Sequence, residues 1–105
     1  MIRGDVCWYS FRPPDERRPV LILTRDSMLA MLKEVSVASI STRIRNVPSE
    51  VFLGPADGMP EECAVNFYLI QSVPKKNIGR VITHLSPGRM AEARAALLFA
   101  LGFEE

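Results

Sequence analysis

A chain of 105 residues, 48% hydrophobic and 24% charged, has enough apolar surface for one folded domain and too much for a disordered polymer. Its formal net charge of +1 excludes a uniformly basic surface, so any site for a polyanion must be local. No apolar run approaches the roughly 20 residues needed to span a bilayer, and Met1–Asp5 lacks the apolar stretch of a signal peptide. A single cytoplasmic domain covering residues 1–105, with no membrane attachment, is the expectation.

In chain order, Val6–Phe11 is β-branched and aromatic and predicts a strand. Pro13-Pro14-Asp15-Glu16 predicts a loop. Pro19 suits a strand start, where its missing N–H matters least, and Val20–Leu23 is an apolar run of strand length. Asp26–Leu32 predicts a short helix with Asp26 as its N-cap. Glu34–Ser41 alternates apolar and small polar residues at the period of a half-buried strand. Asn46-Val47-Pro48 predicts a turn, Glu50–Leu53 a strand and Gly54–Pro60 a loop. Cys63–Ile70 and Gln71–Val73 predict two extended pieces about a bend, followed by a turn at Lys75–Asn77 and a last strand over Gly79–Leu85. Ser86-Pro87 supplies an N-cap and a first-turn proline; Met90, Ala93, Leu97, Leu98 and Leu101 repeat at helical spacing, and Gly102 stops the helix. Six or seven short strands and one C-terminal amphipathic helix predict a mainly β fold, a small, strongly bent antiparallel barrel with the helix packed on it.

The chemistry is narrowed by what the sequence lacks. There is no Walker-type phosphate loop and no Gly-x-Gly-x-x-Gly. His84 is the only histidine, so two-histidine acid–base catalysis within one chain is excluded, and a structural or solvent-facing role is expected for it. Asp57, Glu61 and Glu62 have no partners at metal-ligand spacing, so neither metal nor cofactor is expected. Cys7 and Cys63 sit in apolar contexts and are expected as buried, reduced thiols. What remains is arginine, hydroxyls and a few carboxylates. Residues 1–50 hold eight Lys/Arg against six Asp/Glu. Among them Arg12, Arg17 and Arg18 precede one strand, and Arg43 and Arg45 follow the hydroxyls of another, Ser41 and Thr42. Guanidinium matches two phosphate oxygens and stays charged. RNA brings its own nucleophile, so these groups suffice to align and stabilise its cleavage.

The segments Arg17-Arg18-Pro19-Val20-Leu21-Ile22-Leu23-Thr24 and Ser39-Ile40-Ser41-Thr42-Arg43 resemble the MazF/PemK family of toxin endoribonucleases, and the likeness runs from Arg3 to about Leu101. Gly54–Pro60, Ala64-Val65-Asn66 and Ile78–Pro87 resemble further signatures of its fold. The resemblance implies an SH3-like barrel, a homodimer with the RNA groove across the dimer interface, and a MazE-like antitoxin that blocks the groove with an acidic tail. It implies metal-independent, sequence-specific cutting of single-stranded RNA by 2′-hydroxyl attack, leaving a 2′,3′-cyclic phosphate and a 5′-hydroxyl and arresting growth. Arg18 matches the family's strand-opening Arg-Pro arginine and would stabilise transition-state charge. Ser41 matches its catalytic hydroxyl, with Thr42 as the neighbouring candidate; because successive strand residues face opposite sides, the two are not expected to share the role. The loop before Arg18 is shorter than in many relatives, and Glu16 stands where a glutamate would orient the 2′-hydroxyl or read a base. Arg12, Arg17, Arg43 and Arg45 are expected to contact RNA. Trp8 and Phe11 are read as core aromatics, with base stacking as the other possibility. An alternative of another class is a non-catalytic toxin resembling CcdB, which shares the barrel and binds DNA gyrase; there the C-terminal helix would make the partner contact. A cleavage-dead relative that binds RNA or an antitoxin is the third.

Overall fold

The computed structural model describes residues 1–12 and 17–103. Six strands form one antiparallel sheet: β1 (Asp5–Ser10), β2 (Arg17–Ile22), β3 (Glu34–Ser41), β4 (Glu50–Leu53), β5 (Cys63–Pro74) and β6 (Ile78–His84), in spatial order β4-β5-β3-β2-β1-β6. The edge strands β4 and β6 do not pair with each other, so the sheet bends tightly without closing. Helix α1 covers Asp26–Leu29, and α2 covers Pro87–Leu101 and packs on β4 and β5.

Bulges produce the bend. β1 meets β6 with register shifts between Val6 and Cys7 and between Cys7 and Tyr9. The larger irregularity lies between β3 and β5, where Ser39 faces Asn66 but Ala38 faces Ile70. Phe67, Tyr68 and Leu69 are therefore accommodated on β5 with no counterpart on β3, a corner that aims neighbouring side chains away from a regular ladder. Cys63–Pro74 is consequently one long strand with an internal corner, where the sequence suggested two pieces.

Alternation divides the buried residues into two groups. Val6, Leu21, Ala38, Ile40, Val51, Leu53, Val65 and Phe67 form one core with Ala93 and Ala96 of α2. Cys7, Tyr9, Val20, Ile22, Leu29, Val35, Val37 and Val73 form the second, on the opposite strand face. Both thiols are buried and free, and burial pushes each up to about 11. Helix α2 starts as its sequence suggests: the Ser86 hydroxyl accepts the Arg89 N–H at 3.1 Å, and Gly102 ends it at φ +78°. The start of α1 differs. Arg25 occupies the N-cap position without a side-chain cap, and Asp26 lies inside the first turn. Its carboxylate is taken instead by the Arg3 N–H, at 2.6 Å, from 23 residues away.

The loop after β4 is fixed by an ion pair. Pro55–Asp57 forms a 3-10 turn, and the Asp57 carboxylate accepts from the Gly54 N–H at 2.9 Å and from Arg89 Nε at 2.9 Å. The Thr83 hydroxyl donates to the Asp57 carbonyl at 2.9 Å. Gly58 follows at φ +90°, where a Cβ would collide with the Thr83 side chain. The Arg89 guanidinium holds the Asp57 carboxyl below its ordinary value of 3.8, more than offsetting its partial desolvation.

Candidate RNA-binding and catalytic cleft

The site begins where a ladder stops. β2 and β3 pair through Ile22–Val37, Leu21–Ala38 and Val20–Ser39, where the pairing stops. The next β2 residue towards the N-terminus is Pro19, which has no N–H with which to continue the ladder. Carried two residues past Val20–Ser39, the same register sets Arg18 opposite Ser41, both on the strand face of Val20 and Ser39. Arg17, one residue earlier on β2, lies on the other face. Each strand end keeps its other neighbour, Arg17 and Arg18 on β1 and Ser41 on β5, and the opened seam between them gives onto a cleft of about 870 Å³, lined by Trp8, Arg17, Arg18, Ser41, Thr42 and Arg43 among others.

Arg18 and Ser41, the sequence-derived catalytic pair, thus meet in one cleft. Thr42 lines it as well, in the bend that follows the end of β3 at Ser41. The Ser41 hydroxyl sits 3.3 Å from the Arg43 N–H, which donates to it, and 3.4 Å from the Arg43 carbonyl. Both contacts are long and leave the hydroxyl able to turn towards a ligand.

Arg17, Arg43 and Arg45 line the same cleft. The Arg17 guanidinium lies over the Trp8 ring, 4.5 Å from its centroid. Arg45 is tied down: its Nη1 lies 3.3 Å from Glu50, whose other carboxylate oxygen accepts the Arg45 N–H at 2.8 Å. Among the described residues, the arginine ion pairs are Arg45–Glu50, Arg89–Asp57 and Arg89–Glu92, and none engages Arg17, Arg18 or Arg43. Arg12 is exposed in the bend after β1 and is not among the described residues lining the cleft. Glu16 lies outside the described residues. His84 is occupied by Asp5, at 2.9 Å from Nδ1.

Trp8 departs from its reading as core: it is half-buried and forms part of the cleft wall. Phe11 does both jobs, with its ring 4.7 Å from that of Tyr9 in an edge-on contact while also lining the cleft. Sequence reasoning left Asn66, Leu69 and Gln71 of β5 out of the site, although all three line it. The only trace of them is the polar residue in Ala64-Val65-Asn66, read above as a mark of the fold. Among the described residues, no group of three or more His, Cys, Asp or Glu is placed to hold a metal ion, and no helix is long and apolar enough to cross a membrane.

Comparison with known proteins agrees with this architecture. The sequence profile described as "PemK-like, MazF-like toxin of type II toxin-antitoxin system" matches residues 2–101. The probable endoribonuclease MazF2 of Mycobacterium tuberculosis is 36% identical over 103 residues, covering 97% of this chain and 99% of that protein. Among solved structures, the Mycobacterium tuberculosis toxin MazF-mt6 superposes with a TM-score of 0.86 at 28% identity, covering 93% of this chain and 96% of its own. A mycobacterial endoribonuclease in complex with its cognate antitoxin superposes with a TM-score of 0.88 at 25% identity, covering 100% and 98%. The chain belongs to the PemK-like, MazF-like toxin family of type II toxin–antitoxin systems.

Proposed function

We propose that this protein is a toxin endoribonuclease that cuts single-stranded RNA at specific sequences in the cytoplasm, acts as a homodimer and is restrained by a MazE-like antitoxin. The observation that carries the reading is the convergence of Arg18 and Ser41 at the unzipped end of the β2/β3 seam, in a cleft with further arginines. Family membership and the relatives named as endoribonucleases support it.

In the proposed reaction the ribose 2′-oxygen forms a bond to the adjacent phosphorus and the bond from phosphorus to the 5′-oxygen breaks. The 2′-hydroxyl loses a proton and the departing 5′-oxygen gains one, so the products are a 2′,3′-cyclic phosphate and a 5′-hydroxyl. Negative charge builds on the non-bridging oxygens, where the Arg18 guanidinium donates two N–H groups in one plane. The Ser41 hydroxyl holds the same phosphate in line, with Thr42 beside it. Arg43 and Arg45 carry flanking phosphates, and Arg17 on Trp8 offers a flat cationic platform for a base.

A gyrase-binding toxin would draw on the apolar end of α2, where Phe99, Leu101 and Phe103 are exposed, but it would leave the cleft arginines without a task. The test is an oligonucleotide cut at one mapped site, compared with its twin carrying a single 2′-deoxy sugar 5′ of that phosphate. The all-ribose strand is cut and the substituted strand survives; equal cutting of both would rule out 2′-oxygen attack.

A further inference from the structure

Asn66 is held in the cleft wall through both its backbone and its side chain. Its backbone lies between two partners, Ser39 on β3 and Glu50 on β4, at the point where the β5 ladder breaks into its corner. Its side chain accepts the Tyr68 N–H on Oδ1 at 2.9 Å. A backbone N–H can only donate, so this bond determines which way round the amide sits: oxygen towards the chain, amino group away from it. The register puts Asn66 on the strand face of Ser39 and Ser41, the face to which Arg18 also belongs. Among the described residues nothing accepts from its Nδ2. Asn66 therefore brings to the cleft wall an oriented hydrogen-bond donor whose acceptor half is already in use.

That arrangement suits reading rather than holding. The arginines bind any phosphate, so they favour RNA without distinguishing its sequence. A held donor bonds only to a lone pair presented at its own position, and little entropy is lost when it is engaged. Gln71, the other amide in the cleft, is exposed and has no such tie among the described residues. We propose that Asn66 is a specificity-determining residue whose Nδ2 donates to O4 of an unstacked uracil or O6 of an unstacked guanine beside the scissile phosphate. In the same pose the N4 amino group of cytosine or the N6 amino group of adenine would set donor against donor and leave both unpaired. This inference rests on the endoribonuclease reading.

The test maps the 5′ ends produced from a mixed-sequence RNA by the full chain and by two variants. Asn66→Asp keeps the acceptor for the Tyr68 N–H and replaces the donor with a second acceptor; Asn66→Ser keeps a small acceptor without adding charge. Wild type should show a keto base at one position of its recognition sequence. Asn66→Asp should cut those sites about 10- to 100-fold more slowly and prefer an amino base at that position alone. Asn66→Ser should accept all four bases there while keeping the rest of the sequence. If both variants retain the wild-type base at every position, whatever their rates, Asn66 is not a reader; a loss equal at every site would make it a backbone contact and also overturn the proposal. Uncut RNA with wild type would instead defeat the endoribonuclease reading itself.

Discussion

Arg89 and Arg18 are the same side chain in opposite circumstances. Arg89 is enclosed by carboxylates: Asp57 takes its Nε at 2.9 Å, and Glu92 lies 3.1 Å from its Nη1. The bond to Asp57 pins the loop after β4 to the start of α2. Arg18 stands at the opened end of the β2/β3 seam, and no ion pair among the described residues engages it. A guanidinium with a built-in counterion holds the fold; one without it is available to a ligand's phosphate, and its cost in folding is small because it remains in water. Arg45 lies between the two, tied to Glu50 yet on the cleft wall.

The largest effect that sharpens this contrast is expected at Arg18. Arg18→Ala should lower single-turnover RNA cleavage about 10²- to 10³-fold, the loss typical of one charge-stabilising donor, with a melting temperature within a degree or so of wild type. Asp57→Ala should do the reverse. Removing it leaves Arg89 with Glu92 alone and the Gly54 N–H unpaired, and should cost about 1.5–3 kcal/mol, read as a lower urea midpoint with the cleavage rate per folded molecule unchanged. A smaller effect is expected from Arg43→Ala: weaker RNA binding, equal across sequences, with the slope of log affinity against log salt reduced by about 0.7. The smallest is a pH effect. Because Asp57 is held below 3.8 when folded, its ion pair is fully stabilising well above that value and fades as pH falls through the lowered folded value. Wild type should therefore lose urea resistance in that acid range, and Asp57→Asn should lose less.

What was legible in the sequence was what depends on neighbours along the chain. Ser86-Pro87 and Gly102 delimit α2 because caps and stops act within a turn, and the Arg-Pro and Ser-Ile-Ser-Thr-Arg segments carry the cleft's two main groups. What depends on distant partners was not legible. Asp26 resembles an N-cap until Arg3 takes its carboxylate. Asp57 and Arg89 lie 32 residues apart. Asn66 reads as an ordinary residue of an extended run, because a three-residue shift against β3 leaves the local period unchanged up to the corner. Trp8 alternates correctly for a core strand, yet it is half-buried where β2 parts from β3 and where the β1/β6 register shifts.

The central claim is that the cleft arginine, and not the fold alone, cuts RNA. The direct measurement incubates a long mixed-sequence RNA with wild type and with folded Arg18→Ala in EDTA, and maps the new ends. Discrete cuts bearing 5′-hydroxyls are expected with wild type, and their near-complete loss in the variant. RNA left intact by folded wild type, or cut equally well by Arg18→Ala, would contradict it.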